Sequence, residues 1–200
     1  MIKTIKRHVK DILISFGFRL PMRTDDRRVL ESIIFPWITN EANCRKMLFV
    51  GCDWYTAYYH KLFPDGEFWT MDYDPAKARY GSARHKIGAV QDVAELYPAG
   101  AFDVIVCNGV LGWGLNEIDE IEKAFAAMYS ILTPTGLLIL GWNDIPRCKP
   151  VELDRITSLQ LFDKFVFPPL DTDCFLTATP NRHTYSFFRK PVEKTNTGIR

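Results

Sequence analysis

Two hundred residues with 47% hydrophobic and 24% charged side chains suit one globular domain, large enough to bury about 70% of the surface its unfolded chain exposes. The net charge of +1 gives no general reason to expect a nucleic-acid partner, and no apolar run approaches the roughly 18–20 residues needed to cross a bilayer. The five cysteines, Cys44, Cys52, Cys107, Cys148 and Cys174, are odd in number and widely spaced. They form neither a metal knuckle nor a disulfide framework, and no secretory leader pattern opens the chain, so a reducing cytoplasm is the expected compartment.

In chain order, Ile2, Ile5, Val9, Ile12, Leu13 and Phe16 recur at spacings of three and four, which predicts an amphipathic helix over residues 2–16 with a basic outer face. Residues 1–28 hold eight basic side chains against three acids, an excess of five that leaves the rest of the chain at −4. Pro21 interrupts this segment, and residues 26–38 predict a second helix with Val29, Leu30, Ile33 and Ile34 on one side. Residues 46–50 read as a short buried strand, 54–61 as the start of a helix, and 68–71 as a second strand. Asp74 caps a helix opened by Pro75 and running to about Ser82. Residues 86–90 form a weak third strand and 102–107 a strong fourth. A helix from about Glu117 to Leu132, capped by Asn116, presents Ile118, Ile121, Phe125, Met128 and Leu132 on one face. A fifth strand follows at 137–140, and residues 161–167 and 183–189 predict an antiparallel hairpin. The alternation implies a parallel sheet with helices on both faces.

The most informative pair is Gly51 and Asp72. A buried strand ends in the glycine, and 21 residues later a second strand ends in the carboxylate. This is how a protein holds an adenosine: backbone near the glycine approaches the ligand, and the acid accepts hydrogen bonds from the ribose hydroxyls. A nicotinamide-dependent oxidoreductase expects Gly-x-Gly-x-x-Gly here, which Gly51-Cys52-Asp53-Trp54-Tyr55-Thr56 does not supply.

The order of elements from about residue 44 to residue 190 resembles the class I S-adenosylmethionine-dependent methyltransferase family. Met47-Leu48-Phe49-Val50-Gly51-Cys52-Asp53 is similar to its first motif, and Met71-Asp72-Tyr73-Asp74-Pro75 to its second, whose first acid binds the ribose. Gln91-Asp92-Val93 stands where the family places an acid against the adenine amino group, although Gly88-Ala89 offers a second register without that carboxylate. Residues 102–108 resemble the fourth strand and its exit, and Leu132-Thr133-Pro134-Thr135-Gly136 the turn before the fifth. The resemblance implies an α/β, Rossmann-like fold: a mostly parallel seven-stranded sheet with a C-terminal antiparallel hairpin. It divides the chain into a helical extension (1–43), a cofactor-binding domain (44–190) and a flexible tail (191–200). It implies S-adenosylmethionine as cofactor, bound by Gly51, Cys52, Asp53, Trp54, Tyr55, Asp72, Tyr73, Gln91, Asp92, Val93, Asn108 and Gly109. The chain departs from the pattern in keeping only one glycine in the first loop and in placing Thr135 where the turn expects glycine.

Other reactive residue types read as structural. Cys52 and Cys107 are small core-like residues near the cofactor rather than nucleophiles, and His60 reads as a helix-surface histidine rather than a base, with His85 and His183 read in the same way. No histidine–acid grouping has metal-ligand spacing, so no metal is expected. The loop Asn108-Gly109-Val110-Leu111-Gly112-Trp113-Gly114 leaves the ligand edge of the sheet, and Trp113 either walls the transfer cavity or simply packs the loop. The expected function is methyl transfer to a small-molecule or sugar-like acceptor, by alignment rather than by an evident side-chain base. The alternative is a non-catalytic module acting through protein contacts, suggested by the thinned glycine loop. Nucleic-acid acceptors are disfavoured because the fourth strand exits as Cys107-Asn108-Gly109-Val110, without an Asn-Pro-Pro-Tyr type motif. Residues 2–16 are expected either to cover the acceptor site or to make weak contact with an anionic membrane surface.

Overall fold

The structure, a computed structural model, describes residues 10, 12–14, 16, 18, 22–42 and 44–192. Most of the helix expected over 2–16, with its cover or membrane role, and residues 193–200 of the expected tail lie outside the described residues. Helix α1 spans 25–40. Its α-helical ends, Asp25–Val29 and Phe35–Asn40, flank a π-helical stretch at Leu30–Ile34. Pro36 has no amide hydrogen for the α pattern, and the helix widens immediately before it.

The strands are β1 (Lys46–Val50), β2 (Glu67–Asp72), β3 (Arg84–Ile87), β4 (Phe102–Asn108), β5 (Leu132–Asn143), β6 (Asp163–Lys164), β7 (Cys174–Leu176) and β8 (His183–Arg189). The short helix α2 (Val93–Leu96) precedes β4, and α3 (Ile118–Ile131) precedes β5. The sheet order is β3-β2-β1-β4-β5-β8-β6, with β7 also pairing β8. β1 to β5 are parallel, and β8 runs antiparallel to β5, β6 and β7. The sheet has eight strands where the pattern predicts seven, because the first hairpin arm is split. Residues 161–167 supply only the two-residue β6, and Pro168 and Pro169, which lack ladder donors, separate it from β7.

Both sheet faces are covered, which is why the central strands read as unbroken apolar runs. Leu48, Val50, Ile105, Cys107, Leu138 and Leu140 pack with Ile121, Phe125 and Met128 of α3. Met47, Phe49, Val104, Val106, Leu137, Ile139, Tyr185 and Phe187 pack with Val29, Leu30, Ile34 and Phe35 of α1. Alternation along each strand assigns the faces.

Four local expectations shift. The predicted helix after β1 is instead a set of turns followed by a 3-10 turn, Tyr59–Leu62. Asp53 accounts for this: its Oδ1 accepts the Trp54 N–H, its carbonyl accepts the Thr56 N–H and hydroxyl, and its own N–H donates to Thr56 Oγ1. Such local bonds compete with the helical ladder. The helix after Pro75 is a 3-10 turn, Pro75–Tyr80, with Asp74 capping it through the Ala76 N–H at 2.8 Å. β3 starts two residues earlier than predicted and ends at Ile87, where the Gly88 N–H bonds the Asp72 carbonyl. The expected Asn116 cap of α3 is replaced by Glu117, which makes no side-chain cap bond.

Candidate functional site

A cleft runs along the C-terminal ends of the parallel strands, the edge where open α/β sheets bind ligands. It comprises a cavity of about 480 Å³ and a smaller one of about 190 Å³. Gly51, Asp72, Tyr73, Gly109 and Trp113 line both, so the two are halves of one groove.

Gly51 forms the neck. Its φ is +96°, and a Cβ there would stand 2.5 Å from the Asn108 carbonyl oxygen, so both conformation and space demand glycine. Its amide donates to the Met71 carbonyl at 3.1 Å. The loop is held by Asp72, whose Oδ2 accepts the Cys52 N–H at 2.7 Å and whose Oδ1 accepts the Asp74 N–H at 3.0 Å. Two amide bonds orient the carboxylate and leave further lone pairs for a ligand. Cys52 is buried in this turn and Asp53 is paired with Lys77. Burial pushes the Cys52 and Cys107 thiols up to about 12, which removes them as thiolate nucleophiles at neutral pH.

The smaller half is walled by Gly88, Ala89, Val90 and Gln91 on one side and by Val110, Trp113, Gly114 and Leu115 on the other. Nine of the twelve sequence-predicted site residues line the groove: Gly51, Cys52, Asp53, Tyr55, Asp72, Tyr73, Gln91, Asn108 and Gly109. Trp54, Asp92 and Val93 line neither half. Trp54 sits under the Lys10 ammonium, 3.4 Å from its ring centroid. Asp92 pairs with Lys123 of α3 at 2.6 Å, and Val93 is fully buried in the α3-side core. Gly88 and Ala89 of the second register border the groove, as does Gln91 of the first, while Asp92 does not.

The larger half contains a polar group that sequence reasoning passed over. On the α1-side face, apolar residues give way to polar ones as the strands reach the ligand edge: Val104 and Val106 to Asn108, Ile139 to Gly141 and Asn143, Phe187 and Tyr185 to His183. Asn143 and His183 are register partners across β5 and β8, with His183 Nδ1 2.8 Å from Asn143 Oδ1. With Asn143 Oδ1 toward the ring the proton sits on Nδ1 and Nε2 carries a lone pair, whereas the flipped amide would reverse the two. Burial lowers the His183 pKa to about 4, with Asp26 and Arg27 acting in opposite senses. The α1 N-terminus closes this half with Asp26 and Arg27, which are buried and paired at 3.2 Å. The Arg27 guanidinium lies 4.5 Å from the Tyr55 ring centroid and donates to the Tyr59 hydroxyl at 3.4 Å. The Tyr185 hydroxyl donates to the Asp26 carbonyl at 2.9 Å. The available signal was the alternation of β8 itself, His183-Thr184-Tyr185-Ser186-Phe187, which puts His183 on the same face as the core residues Tyr185 and Phe187. His60, by contrast, is exposed, and His85 is half-buried beside Thr70 Oγ1 at 3.0 Å, away from the groove.

Comparison with known proteins agrees with this geometry. Residues 48–140, from β1 into β5, match the family model for a methyltransferase domain. A 69-residue stretch is 32% identical to an uncharacterised protein of Rickettsia prowazekii (strain Madrid E), covering 34% of this chain and 26% of that protein. The chain thus spans about a quarter of the length of that relative. Among solved structures, the N-methyltransferase NodS from Bradyrhizobium japonicum WM9, in complex with S-adenosyl-L-homocysteine, superposes with a TM-score of 0.64 at 18% identity, over 84% of this chain and 89% of that one. A TehB-like SAM-dependent methyltransferase from Corynebacterium glutamicum ATCC 13032 gives 0.59 at 18% identity, over 94% and 97%. Residues 48–140 thus match a methyltransferase domain across the parallel strands, and the chain has the fold of these S-adenosylmethionine-dependent methyltransferases.

Proposed function

We propose that the protein transfers the methyl group of S-adenosylmethionine to a small-molecule acceptor held in the larger half of the groove. One observation carries the reading: Gly51 and the amide-pinned Asp72 meet at the neck shared by an apolar-walled half and a polar half. The smaller half suits adenine, whose flat face fits between Val90 and Leu115. Asp72 stands at the junction to accept the ribose hydroxyls. The methionyl arm then passes Gly51 and Asn108 and presents its methyl toward α1. NodS, which shares the fold, is an N-methyltransferase crystallised with S-adenosyl-L-homocysteine, and this supports the cofactor's placement.

The sulfonium methyl is already activated, so this chain's contribution is to bind, align and exclude water. Walls at Trp113 and at Asp26 and Arg27 favour a small acceptor over a macromolecular one. Titration calorimetry with S-adenosylmethionine, followed by assay of S-adenosylhomocysteine formation on a pooled small-metabolite extract, tests the reading. Binding with turnover is expected. Binding without turnover on any metabolite pool would favour the non-catalytic module, and absence of binding would remove the cofactor assignment.

A further inference from the structure

We propose that the face carrying Ile12, Phe16 and Phe18 docks the protein on an anionic membrane surface, a contact that does not depend on the methyl-transfer reading above. Ile12 is 56% exposed, Phe16 77% and Phe18 60%. Ile12 and Phe16 stand one helical turn apart, with the Phe16 N–H donating to the Ile12 carbonyl at 3.2 Å, so their side chains share a face. The Phe18 N–H bonds the Leu13 carbonyl at 3.0 Å, which holds Phe18 at the end of the same turn. The other side of the segment meets the protein. Lys10 sits over the Trp54 ring, its ammonium 3.4 Å from the centroid, and Leu13 and Ile14 are half-buried. A segment that turns a lysine inward and two phenylalanines outward departs from the arrangement of an ordinary surface helix. Apolar residues scattered singly over a surface are unexceptional, but three within one short segment form a patch that marks a contact site.

Charge selects the occupant. Residues 1–24 contain Lys3, Lys6, Arg7, Lys10, Arg19 and Arg23 against Asp11 alone. An anionic bilayer offers both layers that this composition needs: the apolar side chains enter the acyl boundary, and the cations stay among the headgroups. Each cation near such a surface strengthens binding about fivefold. A second copy of the chain fits less well, because a face-to-face pair would bring two basic segments together. Among the described residues no helix is long and apolar enough to cross a membrane, so the contact is peripheral. Trp54, on which Lys10 rests, lies between Asp53 and Tyr55, and both of these line the larger half of the groove. The docking face therefore adjoins that half.

Co-sedimentation of the full chain with vesicles, in the absence of cofactor and acceptor, tests the proposal. Binding to vesicles of equal parts phosphatidylcholine and phosphatidylglycerol should exceed binding to pure phosphatidylcholine by about tenfold or more, and should weaken as sodium chloride is raised. The double variant Phe16→Ser, Phe18→Ser should bind the anionic vesicles about tenfold more weakly or worse, with its Tm unchanged because both side chains are exposed. Hydrogen exchange on the wild-type protein gives a reading that needs no variant: amides of residues 12–18 should gain protection when the anionic vesicles are added. Absence of binding, equal binding to the two vesicle types, undiminished binding by the double variant, or unchanged exchange at 12–18 overturns the proposal. So does a concentration-dependent dimer that the double variant abolishes, which would make the face a contact between copies. Failure to bind S-adenosylmethionine is a separate result and bears on the methyl-transfer reading alone.

Discussion

At the scale of single residues, two carboxylates that look alike in the sequence have opposite fates. Asp72 is held by two backbone amides at the neck of the groove, and Asp92 is spent on Lys123 at the surface. Replacing Asp72 by alanine should weaken S-adenosylmethionine binding by about 1.5–3 kcal/mol, the range for losing hydrogen bonds to a charged group. Titration calorimetry checks this, and an unchanged affinity would end the ribose assignment. Asp92→Ala should leave that affinity within about twofold, since its carboxylate is engaged by Lys123 at the solvent-screened surface and lines neither half of the groove. A loss beyond tenfold would return the carboxylate to the adenine. Asp72 was legible because strand, glycine turn and second strand lie within a short stretch. Asp92 was misplaced because one residue of register around the Val90–Asp92 turn decides which side chain faces inward.

At the scale of elements, the parallel core was readable and the polar end of the larger cavity was not. Continuous apolar runs announce β1, β2, β4 and β5, and the period of α3 announces its buried face. Asn143 and His183, by contrast, become neighbours only through the antiparallel pairing of β5 with β8, forty residues apart. Asp26 and Arg27 reach them from α1, which precedes the whole sheet in the chain and packs across one of its faces. No local pattern carries such contacts. The helix expected after β1 failed for the opposite reason, since Asp53 satisfies its neighbours' amides locally. The β5–β8 pair has a pH consequence. An unfolded histidine ionises near 6.5, whereas the folded His183, buried against Tyr185 and between the opposing charges of Asp26 and Arg27, ionises at about 4. Between those values the unfolded chain binds the extra proton, so this contribution to stability is complete above about pH 6.5 and is lost as pH falls toward 4. Denaturant melts from pH 8 to pH 4 should show a decline on the order of a few kcal/mol that is smaller in His183→Gln. Parallel curves for the two proteins would mean the ring is not held neutral.

At the scale of the whole molecule, the groove is built from both sides of the sheet. The smaller half is backed by the α3-side core and the larger half by the α1-side core. Because the sheet edge proposed to bind cofactor is continuous with the folded core, ligand should stabilise the entire domain. S-adenosylmethionine at 100 times its dissociation constant should add about 2.7 kcal/mol, which for a chain of this size is a rise of roughly 5–11 °C in Tm. Thermal melts with and without cofactor check this, and no shift at saturation would contradict the proposed site. One tie in the molecule also bears on how it is made. The Tyr185 hydroxyl bonds the Asp26 carbonyl, and the Ala178 amide bonds the Asp25 carboxylate, joining residues separated by 159 and 153 positions. During synthesis α1 leaves the ribosome well before its anchors exist, while β1, β2 and β4 can pair as they emerge. The cofactor half of the groove can therefore assemble on a partly made chain. The larger half comes into being only when β8 arrives, so under the proposed function a nascent protein would hold its methyl donor site before it had anywhere to send the methyl.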